Sequence, residues 1–229
     1  MCGRYTNTGV DAGRLAARFG VLSSGVPEES LGRFNVCPTE TMFVVASGPD
    51  AERFASAATW GLESPWKKGP IPLNARSESV AAKPMFTKLV ASYRGRCLVV
   101  ADGWFEWLRP EAKGAPKTPF HYRVDGGEPF AFAGLWDGAT ACILTTSANA
   151  VCRPVHDRMP VVLGGPEEEA GWLSASVDTE GAVDLLLPLA DDRVSARPAN
   201  PAVNKAGVEG PELLDPPVGA AENAPTLFS

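Results

Sequence analysis

Four residues of this chain have side chains whose type and setting suit them to chemistry: Cys2, Asn74, Glu106 and His156. Once Met1 is removed, Cys2 presents an amine and a thiol on adjacent carbons, a 1,2-aminothiol. Its α-amino group titrates near pH ~8, about two units below a lysine, so a useful fraction is neutral and nucleophilic at neutral pH. The neighbouring thiol has an ordinary pKa of about 8.5. The amine can condense with an aldehyde to a Schiff base, and the thiol can then close on the same carbon to give a thiazolidine. A buried cysteine elsewhere in the chain could not do both. The pentapeptide Met1-Cys2-Gly3-Arg4-Tyr5 alone does not separate this role from that of an incidental cysteine.

The other three offer proton transfer and positioning. Glu106 lies in Trp104-Phe105-Glu106-Trp107, where desolvation among aromatic rings raises a carboxyl pKa, as catalytic acids often require; a buried ion pair with an arginine is the alternative. His156, in His156-Asp157-Arg158-Met159-Pro160, belongs to a polar cluster at a strand entrance, where a titrating group can reach a substrate. His121, the second of the two histidines, falls mid-strand in an alternating pattern and reads as structural. Asn74 and Arg76 share the polar stretch Asn74-Ala75-Arg76-Ser77-Glu78.

These residues need a scaffold, and the 229 residues, 45% of them hydrophobic, suffice for one domain over 1–229 with a loose tail from about 216. No stretch is long and apolar enough to cross a membrane, and the start MCGRYTNTG lacks the apolar segment of a signal peptide, so a cytoplasmic, monomeric protein is expected. Cysteines 2, 37, 97, 142 and 152 are an odd number with no C-x-x-C pair, which argues against a disulfide framework and a zinc site. Cys97 and Cys142 lie in apolar runs and read as core thiols. A net charge of -6 speaks against nucleic acid, yet residues 1–100 carry 12 Lys and Arg against 8 Asp and Glu, whereas 101–229 carry 9 against 19. A basic groove on an acidic protein fits that distribution, and so does a solvated surface.

The pattern predicts a short helix from an Asp11 cap to Gly20, with Leu15 and Phe19 on one face. Arg33–Pro38 reads as a loop feeding a strand at Met42–Ala46, and Arg53–Gly61 as the next strand. The breaker-rich 62–70 follows, where Trp66 among basic residues either stacks on a base or covers the core. Ser77 can cap a helix that Lys83-Pro84 interrupts and Met85–Tyr93 resumes. Cys97–Ala101 is a buried strand, turned by Asp102-Gly103 into Trp104–Leu108. Strands at 120–124, 130–133 and 141–146 follow, then one ending at Leu163 and a helix from Pro166 with three acids in its first turn. Strand signals outnumber helix signals and no βαβ alternation is visible. The expected fold is therefore α+β, a mainly antiparallel curved, barrel-like sheet with flanking helices.

In their order, these motifs resemble the SOS-response-associated peptidase (SRAP) family of abasic-site processing proteins. The resemblance runs through Met1-Cys2-Gly3-Arg4-Tyr5, Arg33–Pro38, Trp60-Gly61-Leu62, Asn74–Glu78, Asp102–Trp107, Leu144–Asn149, His156–Pro160 and Val203-Asn204. It implies loss of Met1 and capture of the abasic-site aldehyde in single-stranded DNA by Cys2 as a thiazolidine crosslink, with Asn74, Glu106 and His156 positioning and protonating the reacting groups. No cofactor is needed. Arg4, Arg76 and Arg158 are the phosphate-binding candidates by their place in the motifs. The family pattern often has alanine where this chain has Cys37, and some relatives pair two tryptophans where this chain has Trp66 alone. An N-terminal-nucleophile cysteine peptidase acting mainly on its own Met1, or a non-covalent single-strand sensor, are the other readings the residues allow.

Overall fold

Side-chain alternation at the strand period of two sets the architecture. The computed structural model describes residues 2–63, 71–110 and 116–216. Its strands are β1 (Tyr5–Asn7), β2 (Arg33–Val36), β3 (Thr41–Ser47), β4 (Arg53–Trp60), β5 (Asn74–Arg76), β6 (Arg96–Ala101), β7 (Gly103–Leu108), β8 (Thr118–Val124), β9 (Phe130–Trp136), β10 (Thr140–Ser147), β11 (Arg158–Pro160), β12 (Val162–Leu163) and β13 (Val194–Pro198). The helices are α1 (Ala12–Phe19), α2 (Ser77–Val80), α3 (Pro84–Ala91), α4 (Pro166–Leu173) and α5 (Thr179–Asp184). A five-stranded sheet runs β13-β8-β7-β1-β2, and an eight-stranded one runs β11-β10-β4-β3-β6-β9-β12, with β5 on β10. Because β9 also pairs β10, the strands β10-β4-β3-β6-β9 close into a ring. Pairing is antiparallel except where β10 runs parallel to β4 and β5. This is the curved, mainly antiparallel α+β arrangement that the strand pattern predicts.

Two alternating sets of side chains divide the core. Met42, Val44 and Ala46 of β3, Cys97, Val99 and Ala101 of β6 and Phe130 and Phe132 of β9 pack with Tyr5, Trp104 and Tyr122 of the five-stranded sheet. The intervening Phe43, Val45, Leu98, Val100, Ala131 and Ala133 pack against Leu15, Phe19, Val80, Phe86 and Trp172 of the helices. A third layer, Ala199, Val203, Leu213 and Leu214 of the C-terminal arm, covers Phe105 with Phe34 and Trp107 beside it.

Local chemistry explains most boundaries. In α1 the Asp11 carboxylate accepts from the Arg14 amide at 2.9 Å, and Gly20 ends the helix with φ 69. Of the acids that open α4, Glu169 is fully buried and takes both Arg18 guanidinium nitrogens, at 2.7 and 2.9 Å, so it ties α4 to α1. Three expectations change. Arg33–Val36 is a strand, paired to β1, because the arm supplies long-range partners: Glu209 accepts from the Phe34 and Asn35 amides, and the Asn35 side chain donates to the Lys205 and Val208 carbonyls. The α2 cap position is Arg76, whose extended backbone continues β5, and Ser77 is buried within the helix. Asp102-Gly103 does not fold β7 back on β6; it carries the chain from one sheet to the other, with Asp102 accepting from the Thr6 hydroxyl and the Thr8 amide.

Candidate active site

The two residues before Arg4 enter the space between the sheets because β1 is fastened on both sides. Tyr5 registers with Trp104 on β7 and with Val36 on β2, and Asp102 holds Thr6 and Thr8. Cys2 is fully buried there. Its carbonyl accepts from the Asn74 amide nitrogen at 2.8 Å, and its thiol points at the Arg4 carbonyl at 3.8 Å. Asn74 is placed by the parallel pairing of β5 with β10, where it registers with Ile143. Its Oδ1 is buried without a hydrogen-bond partner among the described residues.

Glu106 is on the same inward face of β7 as Trp104 and Leu108, since alternation sends Phe105 and Trp107 to the opposite face beneath the arm. Its aromatic neighbours on that face are thus Trp104 and, across the strand pair, Phe120 and Tyr122; burial between the sheets desolvates the carboxyl. That burial raises it to about 7, and the Asp157 carboxylate pushes in the same direction. Burial likewise drives the Cys2 thiol far up, with the Glu106 charge adding, so the thiol is held protonated. The reach of the Glu106 charge to the thiol makes Cys2 and Glu106 electrostatic neighbours.

His156 is a quarter exposed in the turn before β11, next to Asp157, whose charge reaches Glu106. Its Nδ1 accepts from the Arg158 amide at 3.0 Å and lies 2.9 Å from Asp157 Oδ1. One nitrogen serves only one of these at a time: unprotonated it takes the amide, protonated it faces the carboxylate. Burial lowers the imidazole below its ordinary value, so the neutral ring with the amide contact prevails at neutral pH. The carboxyl is thus pushed up and the imidazole down.

The arginines differ in state. Arg76 is exposed. Arg158 is not: its guanidinium is held by both Glu78 carboxylate oxygens, at 2.5 and 2.9 Å, and by the Thr145 carbonyl. Arg4 donates to the Gly3 carbonyl and reaches Asn204 at 3.5 Å. Trp66 lies outside the described residues. Cys37 follows β2, with its buried thiol donating to the Asn35 carbonyl at 3.1 Å. His121 is buried against Phe105, with Nε2 3.3 Å from the Thr6 hydroxyl, and burial lowers it to about 3, in keeping with a structural role. Sequence reasoning missed Tyr122 and Cys152, both buried and both within the electrostatic reach of Glu106. Alternation along β8 was a usable signal for the first, whereas nothing in the sequence singled out the second.

Comparison with known proteins places this geometry. The chain is 31% identical to the abasic site processing protein YoqW of Bacillus subtilis over 94% of this chain and 99% of that protein. It is 30% identical to the abasic site processing protein YedK of Escherichia coli, covering 94% of this chain and all of that one. A crystal structure of a protein from Bacteroides thetaiotaomicron superposes with a TM-score of 0.79 at 24% identity, over 94% of this chain and 99% of that one, and so shares the fold. The family model for SOS response associated peptidase (SRAP) matches residues 1–206, which include β1, β5, β7 and the turn before β11 that assemble the site, and the chain belongs to that family.

Proposed function

We propose that this protein processes abasic sites in single-stranded DNA by forming a thiazolidine crosslink through Cys2 after Met1 is removed. The observation that carries this reading is the burial of Cys2 between the sheets, with Asn74 on its carbonyl and Glu106 in its electrostatic field. The names of the relatives point to the same class of DNA lesion.

The steps follow from the groups present. The Cys2 amine adds to the aldehyde of the opened sugar, and the protonated Glu106 gives its proton to the departing hydroxyl, releasing water and leaving a protonated imine. The Cys2 sulfur then bonds to the imine carbon as the C=N electron pair returns to the nitrogen, which keeps its one hydrogen. The thiol proton goes to the Glu106 carboxylate, and the net change is loss of one water. Neutral His156 can help open the sugar ring and return a proton on reversal. Asn74 fixes the Cys2 backbone, so that amine and sulfur meet one carbon. The Cys2 thiol with Glu106 can also account for the removal of Met1.

Phosphates would be met by Arg4, Arg76 and Arg158, with Glu78 yielding Arg158 to DNA. Arg76→Ala should weaken binding to all sequences alike and lower the slope of log K against log salt by about 0.7, the share of one single-strand phosphate. Filter-binding titrations over a range of salt read both effects, and a strong base preference would contradict them. Incubation with abasic and intact single-stranded oligonucleotides tests the reaction: a band that survives heating and denaturing electrophoresis should form with the abasic strand alone. Equal, heat-labile retention of both strands would instead mark a non-covalent sensor.

A further inference from the structure

Beside Glu106 lies a buried polar group that the steps above leave unused. Tyr122 is fully buried, and its hydroxyl has no hydrogen-bond partner among the described residues. On β8 it registers with Trp104 of β7, and its ring stacks on the indole with centroids 5.1 Å apart and planes 11° from parallel. Strand alternation therefore puts Tyr122 on the same face as Trp104 and Glu106, toward the space that holds Cys2. Burial pushes its phenol well up, and Cys152 and Glu106 are the neighbours that add to the shift. The hydroxyl is thus a protonated donor close to the proposed acid.

A buried hydroxyl without a partner is destabilising, a cost that a bound ligand can remove. Trp104 Nε1 and Asn74 Oδ1 are also buried without partners among the described residues, which adds a second donor and an acceptor suited to a hydroxylated ligand. Opening of the abasic sugar turns its ring oxygen into a hydroxyl on C4′. Of the four sugar oxygens at an internal abasic site, two are esterified to phosphate and one becomes the aldehyde, which leaves the C4′ hydroxyl as the free donor and acceptor. Resting on the crosslinking reading, we propose that Tyr122 contacts the substrate, its hydroxyl hydrogen-bonding the C4′ hydroxyl of the ring-opened sugar and so favouring 4-hydroxy aldehydes over plain ones.

Tyr122→Phe keeps the ring stack and removes one oxygen. Two single-stranded oligonucleotides would be compared, one abasic and one carrying an alkyl aldehyde of equal reach without the hydroxyl. The variant should crosslink the abasic strand about tenfold more slowly, the loss expected of one hydrogen bond. With the plain aldehyde, wild type and variant should differ by less than about twofold, so the preference for the abasic strand collapses. The variant should also melt no lower than wild type, because the free protein loses no bond. Equal slowing on both strands, no slowing on either, or a lower melting temperature would each overturn the inference while leaving the crosslink itself in place. A wild-type protein that forms no adduct with either strand removes the crosslinking reading and this inference together.

Discussion

Cys2→Ala is expected to abolish the heat-stable adduct with abasic single-stranded DNA while the protein stays folded and still binds the strand. In the variant prepared without Met1 the amine survives the substitution, so a Schiff base can form, but no sulfur remains to close the ring, and the imine hydrolyses on heating. Borohydride reduction should therefore rescue a stable product in the variant, which separates loss of the thiol from loss of the site. Cys2 is fully buried, so removing its sulfur leaves a small void costing on the order of 1 kcal/mol, visible as a modest fall in melting temperature. Cys37→Ala should leave the adduct intact, because that thiol is engaged by the Asn35 carbonyl. Denaturing electrophoresis checks both, and a heat-resistant, unreduced adduct in Cys2→Ala would move the chemistry to another residue.

The second large effect belongs to Glu106→Gln. The amide is nearly isosteric but transfers no proton, and the loss of a general acid and base costs roughly a hundredfold or more in rate. The pH profile supplies the sign. With the carboxyl raised to about 7 by burial, the donating acid is present below that pH and lost above it, so the wild-type rate of adduct formation should carry a falling limb near pH 7. The glutamine variant should lack that limb. The same shift affects stability in a defined direction: a folded pKa above the unfolded value means that stability contributed by Glu106 is present at low pH and lost as pH rises from the ordinary carboxyl range through about 7. Glu106→Gln should flatten that decline. Single-turnover rates and melting curves from pH 5 to 8 check both, and a variant that crosslinks at the wild-type rate throughout would leave Glu106 with a structural role only.

Much of this site was legible because its residues stand in short, chemically unusual strings. A cysteine next to the initiator methionine, a glutamate in an aromatic strand and a histidine beside an acid and an arginine each suggest reactivity without reference to any fold. The apolar runs of β3, β6, β9 and β10 were equally plain as strands, and strand geometry splits their side chains between the two faces of the core. What escaped reading depends on partners far along the chain. Arg33–Val36 is made a strand by Glu209 and the arm, and β13 pairs β8 from about 70 residues away. Asp102 looks like a turn residue, yet its carboxylate fastens β1, which lies some 95 residues earlier. Glu106 was read through its sequence neighbours, whereas strand geometry gives it Trp104 and Tyr122 and turns Trp107 away. The Arg158–Glu78 pair joins two motifs that the sequence presents separately, so on the proposed reading Arg158 would have to release a carboxylate before meeting a phosphate.

The intact mass of the protein after mixing with an abasic single-stranded oligonucleotide tests the central claim most directly. The free protein should begin at Cys2, and a single adduct should form whose mass is that of the mature protein plus the oligonucleotide minus one water, stable to heat without reduction. An active, crosslinking protein that still carries Met1 would contradict it, because an acylated Cys2 amine cannot form the ring.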